Sequence, residues 1–229
     1  MKYSVAVAAL LAGSVVAAPA TKLNAKQRLA RRNKNSARSD DWYNESWAGA
    51  VLDGVYTGIS ASFPIPKPAV GTTGETSASE FTASTWEKSN GEISYYAWYE
   101  WYPAATEVID LGSLSANDII SVNLTTSGFN TGTVVMENKS TGKSFTKTIS
   151  SDKTLCGVSA EWIVEDLSID SSDIGLASYG SVTFSDAIAT TSSETVNPSG
   201  SRLLDIEDSA KAILTKTSVT DNSVSIAYV

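Results

Sequence analysis

Histidine is absent from all 229 residues, and cysteine occurs once, as Cys156. Without histidine there is no Ser-His-Asp triad, Cys-His dyad or HExxH zinc site. A lone cysteine rules out zinc ribbons and CxxC redox motifs. No metal or cofactor set is legible. Any chemistry falls to carboxylates, amides, hydroxyls or lysine. What is present suits a globular chain of one domain or two, with 42 % of residues hydrophobic and 18 % charged.

Acids are missing from residues 1–39, which hold Lys2, Lys22, Lys26, Arg28, Arg31, Arg32, Lys34 and Arg38. Residues 40–229 carry nine bases against 25 acids, a formal charge of −16. That body disfavours nucleic acid as a partner. Lys2, the apolar run Val5 to Val16 and the small residues Ala17 to Ala20 read as a secretory signal over residues 1–20. The run is too short to span a bilayer, so no membrane partner is expected. The basic stretch that follows has almost no large apolar residue and cannot pack a core. A nucleic-acid arm and a removable pro-segment both fit it. Behind a signal the second is preferred, over residues 21–41. Its charge would pair with the acidic body near neutrality and release as carboxylates protonate. Arg31-Arg32 is an alternative processing site. The sequons at Asn44, Asn123 and Asn138 fit a secreted, extracellular protein.

From residue 42 to 229 the chain reads as all-β, and a monomer is expected. Asp118 to Leu124, Thr131 to Met136, Ser144 to Ile149, Glu161 to Val164 and Ser181 to Phe184 alternate as strands do. Turn signals separate them at Ser127-Gly128, Ser140 to Lys143 and Pro198-Ser199-Gly200. Many short strands suggest a sandwich or jelly roll. Val224 to Val229 reads as a last strand, and Leu203 to Leu214 as one short helix. Pro64 to Trp86 shows hardly a strand, and so long a loop is usually functional or disordered.

Two stretches carry candidate chemistry. In Ser94 to Pro103, strand alternation puts Tyr96, Trp98, Glu100 and Tyr102 on one face. A carboxylate between Trp98 and Tyr102 would be partly desolvated, which raises its pKa. A core strand with one snorkelling Glu fits the same pattern. In Ala160 to Asp166, Ala160, Trp162 and Val164 would face the core, and Glu161, Ile163 and Glu165 the other side. Glu165 stands at the strand's end, where sites tend to open. A solvated acidic face fits equally. Strand-borne carboxylates beside aromatics suit a glycosidase or a carboxylate-dependent peptidase in which Glu activates water.

The same residues carry a family resemblance. Trp47-Ala-Gly-Ala-Val, Ile59 to Pro66, Tyr95-Tyr-Ala-Trp98-Tyr-Glu100-Trp101-Tyr102-Pro103, Met136 to Gly142 and Ala160-Glu161-Trp162-Ile163-Val164-Glu165-Asp166 occur in this order. Together they resemble the fungal glutamic peptidases, the eqolisins, over about residues 43–229. The resemblance implies a concanavalin-like β-sandwich of two antiparallel sheets and acid-active hydrolysis of polypeptide substrates. It implies Glu165 as general base, with Trp98, Glu100 and Tyr102 lining the substrate cleft. It also fits a basic pro-segment acting as inhibitor of its own domain.

One part of the family pattern is missing. The family uses a Gln amide beside its Glu, from a strand before the aromatic signature. Here that stretch would fall between Ser77 and Phe81, and the chain's one Gln is Gln27, in the basic segment. In the family, the counterpart of Cys156 pairs with a cysteine in the same absent stretch. One deletion therefore accounts for the missing Gln, the leftover thiol and the strandless reading of Pro64 to Trp86. The other motifs are intact, which favours an omitted coding segment over a degenerate protein. The alternative is a peptide- or glycan-binding sandwich that no longer cleaves.

Overall fold

The computed structural model describes residues 6–12, 36–38, 41–69, 79–80, 83–87, 93–101, 104, 107–155, 158–166, 168–169, 172–173 and 176–229. Among them there is no helix. In chain order the strands are β1 (Ala6–Ala12), β2 (Ser36–Arg38), β3 (Asp41–Asn44), β4 (Trp47–Asp53), β5 (Gly58–Pro64), β6 (Ser79–Glu80) and β7 (Ala83–Glu87). Then come β8 (Ile93–Tyr99), β9 (Glu107–Ile109), β10 (Ile119–Thr126), β11 (Thr131–Asn138), β12 (Lys143–Ser150) and β13 (Ser159–Asp166). The last are β14 (Ser168–Ile169), β15 (Ser172–Asp173), β16 (Ser181–Thr190), β17 (Thr195–Val196), β18 (Arg202–Ile206), β19 (Thr215–Val219) and β20 (Ser223–Tyr228).

Two large sheets result. The first runs β1-β13-β4-β18-β3-β2, with β6 also pairing β13. The second runs β12-β11-β10-β5-β16-β20-β19, with β17 pairing β16. Pairing is antiparallel except between β18 and β3, which is parallel. A three-stranded sheet, β7-β8-β9, and the β14–β15 pair complete the set. Tyr99 of β8 stacks on Phe145 of β12 at 6.0 Å, which ties the three-stranded sheet to the second large one.

The core lies between the large sheets. Ala48, Ala50, Trp162 and Val164 enter from the first sheet, and Phe63 and Phe184 from the second. The two phenylalanines meet edge to face at 5.4 Å, a favourable aromatic geometry. Trp162 crosses the layer, its indole N–H donating to Ser60 O at 3.2 Å. Alternation explains the second sheet: Ile120 and Val122 of β10 are buried, Ser121 between them is half-buried, and Asn123 and Thr125 beyond them are exposed. Its edge strand β12 is mostly exposed and carries Lys143 and Lys147, charges that discourage edge-to-edge pairing.

The expected strands are present, most extended by one to several residues. The three expected turns hold Gly128, Gly142 and Gly200 at φ 125°, 74° and 94°. Val224 to Val229 forms most of β20, although β19 and not β20 is the edge of its sheet. Two expectations are corrected. Leu203 to Leu214 is not a helix. It is β18, a Glu207–Ile213 bridge around a turn with Lys211 at φ 69°, and the approach to β19. Asp205 decides this, because its Oδ1 takes hydrogen bonds from the hydroxyls of Thr215 (3.1 Å) and Thr217 (3.0 Å) on β19. Nor is Pro64 to Trp86 strandless: β6 and most of β7 fall within it, β7 pairing β8 from Ala83↔Ala97 to Glu87↔Ile93.

Candidate active site

Strand β13 holds the centre of the first sheet's site. On one side it pairs with β4, from Ser159↔Asp53 to Val164↔Ala48. It also pairs with β1 from Ala12↔Ser159 to Ala6↔Glu165. With a strand paired along each edge, seven of its eight residues are buried, and Glu165 alone is half-buried. Alternation places Ala160, Trp162 and Val164 in the core and turns Glu161, Ile163 and Glu165 outward, as the residue pattern led one to expect.

The two outward carboxylates differ. Glu161 is buried to 1 % exposure and accepts a hydrogen bond from the Ser159 hydroxyl at 2.9 Å. Nearby, Arg202 holds Asp53 through two hydrogen bonds of 2.6 and 3.0 Å and lies 5.2 Å over the Trp42 ring. Hydrogen bonding to Asp53 raises the Arg202 pKa above its ordinary value. Glu161 is therefore part of a packed, charge-paired end of the strand, and Glu165 is the outward carboxylate left accessible. The two stand four residues apart, about 13 Å along an extended strand. A glycosidase pair needs about 5–9.5 Å, so these two do not form one.

Apolar and aromatic residues flank this row. Val51, Ile163 and Leu204 form a small outer cluster against which Trp42 and Trp47 pack. The Asp166 N–H donates to Ser46 O at 2.7 Å, which carries the β4 pairing past Ala48 and sets Trp47 beside Glu165. No site role for Trp47 follows from the residue pattern alone. The signal was available in β4, where Ala48, Ala50 and Leu52 enter the core and Trp47 and Val51 are left outward.

The aromatic signature lies on β8 and just beyond it. Ala97 enters the core and Tyr95 and Tyr99 pack against it, leaving Tyr96 and Trp98 on the other face. Burial, reinforced by its bond to Glu107, pushes the Tyr99 hydroxyl up to about 12. Glu100 is half-buried. Trp101 is an anchor, donating its indole N–H to Lys153 O at 2.9 Å. Trp98 is 1 % exposed, yet its indole N–H has no hydrogen-bond partner among the described residues. Burying such a donor unpaired is costly, about 1–3 kcal/mol. Tyr102 and Cys156 lie outside the described residues.

The structure connects the two stretches through one short piece of chain. β6 pairs β13 as Glu165↔Glu80 and Asp166↔Ser79. Three residues after Glu80, β7 begins its pairing with β8. Glu165 and the Trp98–Glu100 stretch thus sit on different sheets joined by residues 79–87. Among the described residues, no group of three or more His, Cys, Asp or Glu is arranged to hold a metal ion.

Comparison with known proteins agrees with this architecture. The Peptidase A4 family matches residues 45–228. Aspergillopepsin-2 of Aspergillus niger is 32 % identical over 284 aligned positions that span all of both chains. The aspergilloglutamic peptidase of A. niger superposes with a TM-score of 0.58 and 37 % identity, covering 76 % of this chain and 99 % of that one. Scytalido-glutamic peptidase, solved with a transition state analog inhibitor, superposes with a TM-score of 0.67 and 26 % identity, covering 81 % of this chain and 98 % of its own. A shared all-β sandwich, together with a family match over most of its length, shows that this chain belongs to the Peptidase A4 family, the glutamic peptidases.

Proposed function

We propose that the protein is a secreted, acid-active endopeptidase in which Glu165 is the general base. The observation that carries the reading is the accessibility of Glu165 on a strand otherwise wholly buried. The carboxylate takes a proton from water, and the water oxygen attacks the scissile carbonyl carbon. The proton then passes to the leaving amine as the tetrahedral species breaks down. Trp47, Glu100 and Tyr102 line the substrate cleft, and Trp98, 1 % exposed, backs it from within rather than offering its indole N–H to substrate. Residues 1–20 act as the secretory signal, so the β1 pairing along β13 belongs to the uncleaved chain, and signal removal opens that edge of β13 beside Glu165. Residues 21–41 act as a basic, inhibitory pro-segment against the −16 body, and the mature protein is a monomer.

The donor for the developing oxyanion is the part of the machinery in question. No Gln follows residue 27. The alignment to aspergillopepsin-2 has 284 positions against 229 residues here, so 55 of its positions have no counterpart in this chain. Loss of one such donor costs about 10²–10³ in rate in other hydrolases. Sequencing the transcript across the codons for Ser77 to Phe81 tests this directly. An in-frame piece encoding Gln and Cys restores the full machinery and gives Cys156 a partner.

The functional test is hydrolysis of an acid-denatured protein by the purified chain and by Glu165→Gln. We expect the variant to lose activity by about 10²–10⁴-fold, the range for a general base. Full activity in Glu165→Gln would overturn its role. Tight peptide or glycan binding without turnover in both proteins would favour the non-catalytic reading, which the absence of any Gln after residue 27 supports.

A further inference from the structure

The three Asn-X-Ser/Thr tripeptides are equivalent as sequence but not in the fold. Asn138 is 0 % exposed. Its amide donates to Asp118 Oδ2 at 2.9 Å, and its carbonyl accepts from the N–H groups of Ser140 (3.0 Å) and Thr141 (3.3 Å). It holds the β11–β12 turn together. Asn44 is 7 % exposed, donates to Trp47 O at 2.7 Å and accepts from Ser46 and Trp47 N–H at 2.9 and 2.6 Å. A sugar on either amide nitrogen would occupy space the protein fills and remove a hydrogen bond the fold uses.

Asn123 is the opposite case. It lies in the middle of β10 on the exposed face, and its amide makes no hydrogen bond within the described residues. Thr125, the third residue of its tripeptide, is exposed on the same face. The register around it adds an independent feature. Thr146, Val135, Asn123, Ser60 and Ile188 form one row across β12, β11, β10, β5 and β16. Val135 and Ile188 in that row are 38 % and 37 % exposed, apolar side chains on a largely polar sheet face. Directly paired residues of an antiparallel sheet carry Cβ atoms about 4.5–5.5 Å apart. A sugar attached at Asn123 therefore lies over Val135, and the C–H face of a pyranose ring suits an apolar neighbour.

We propose that Asn123 is the N-glycosylation site of the folded protein and that Asn44 and Asn138 are left unmodified in it. The site rests on the secretory part of the reading above. The donor is a lipid-pyrophosphate-linked oligosaccharide. The Asn123 Nδ2–C1 bond forms, the C1–O bond to pyrophosphate breaks, and one Nδ2 proton is lost to a base. Transfer takes place on the unfolded chain, so folding acts as the filter: a chain carrying a glycan at Asn138 cannot close its β11–β12 turn.

The test is expression of the full chain in a eukaryotic host, once as it stands and once behind an added secretory leader. Material from the medium is deglycosylated by peptide N-glycosidase in heavy-oxygen water, which marks each released site as labelled Asp. We expect label at Asn123 alone, and complete loss of glycan from both Asn123→Gln and Thr125→Ala. Label at Asn44 or Asn138 in folded, secreted protein overturns the proposal, as does an unlabelled Asn123. If only the leader-bearing chain reaches the medium and Asn123 is labelled there, the site stands and the role given to residues 1–20 falls.

Discussion

The two large sheets are built in different ways. In the second, β10, β11 and β12 follow one another in sequence and in space, as do β19 and β20. In the first, β13 lies between strands that precede it by more than a hundred residues: Ser159 pairs with Asp53 on one strand and with Ala12 on another. The hairpin sheet has one face on the core and one in solvent, so polar and apolar residues alternate cleanly. In β13, the strand carrying Glu165, burial is nearly continuous. The proposed base sits on β13, none of whose partners is its neighbour in sequence, whereas the second sheet joins local hairpins through longer-range pairings such as β5 with β16. Long-range pairings form late and at higher entropic cost, and the site is the part of the fold most exposed to a lost segment.

Glycines offer the largest test of that contrast. Gly49 stands between Ile163 of β13 and Leu204 of β18 in register. Its φ is +145°, and a Cβ there would fall 2.0 Å from Trp162 O. Strain and overlap act together, so Gly49→Ala should cost more than about 4 kcal/mol and abolish folding in a marginally stable chain. Gly142, in the β11–β12 turn, has φ +74° and nothing within 4 Å of a Cβ. Alanine there pays backbone strain alone, about 1–2 kcal/mol. Urea unfolding of both variants checks the contrast. Equal midpoints would mean that the first sheet's pairing is not the tighter of the two.

The next effect is catalytic. The register of β6 brings Glu80 opposite Glu165. If an amide donor is what the chain lacks, Glu80→Gln supplies one at the neighbouring position on the adjoining strand. Peptide hydrolysis should then rise by about 10²–10³, the usual worth of one oxyanion donor, with KM little changed. A rate unchanged by Glu80→Gln would show that the donor position is elsewhere and that β6 only completes the sheet.

These contrasts also explain what could be read from sequence. The strands from Ile119 to Ser150 were legible because each alternates, with turn residues between them. The outward face of Glu165 was legible because Trp162 and Val164 identify the core side. Trp47 was harder to place, since next to it the inward side of β4 is marked by the small Ala48 and Ala50, with Leu52 the one large inward residue. Val5 to Val16 has no polar residue alternating through Ala6–Ala12, so nothing in it announces the partner of β13. The stretch from Leu203 was misread because its apolar spacing suits a helix. What overrules the spacing is Asp205, buried by partners ten and twelve residues further on.

That aspartate gives the smallest effect, and it tests how the two sheets are joined. Asp205 of β18 is bound to Thr215 and Thr217 of β19, with Lys216 Nζ 3.6 Å away. Burial raises its pKa, against the opposing pull of the two threonine hydroxyls and Lys216. Tyr179 lies close enough for Asp205 to help push its hydroxyl up, after burial, and Tyr228 adds to the effect. The folded chain therefore keeps a proton on Asp205 at pH values where the unfolded chain has released it. Its contribution to stability is complete below the ordinary aspartate pKa and is lost as pH rises through the higher folded value. From this group alone the join is stronger in acid than at neutrality. One proton limits the slope to about 1.4 kcal/mol per pH unit. Asp205→Asn keeps an acceptor for the threonines and removes the titration. Urea midpoints measured from acid to neutral pH should fall less steeply in the variant, and the two proteins should differ most at neutrality. Parallel pH profiles would show that Asp205 is as comfortable ionised as protonated, and that the acid preference of the join belongs to other carboxylates.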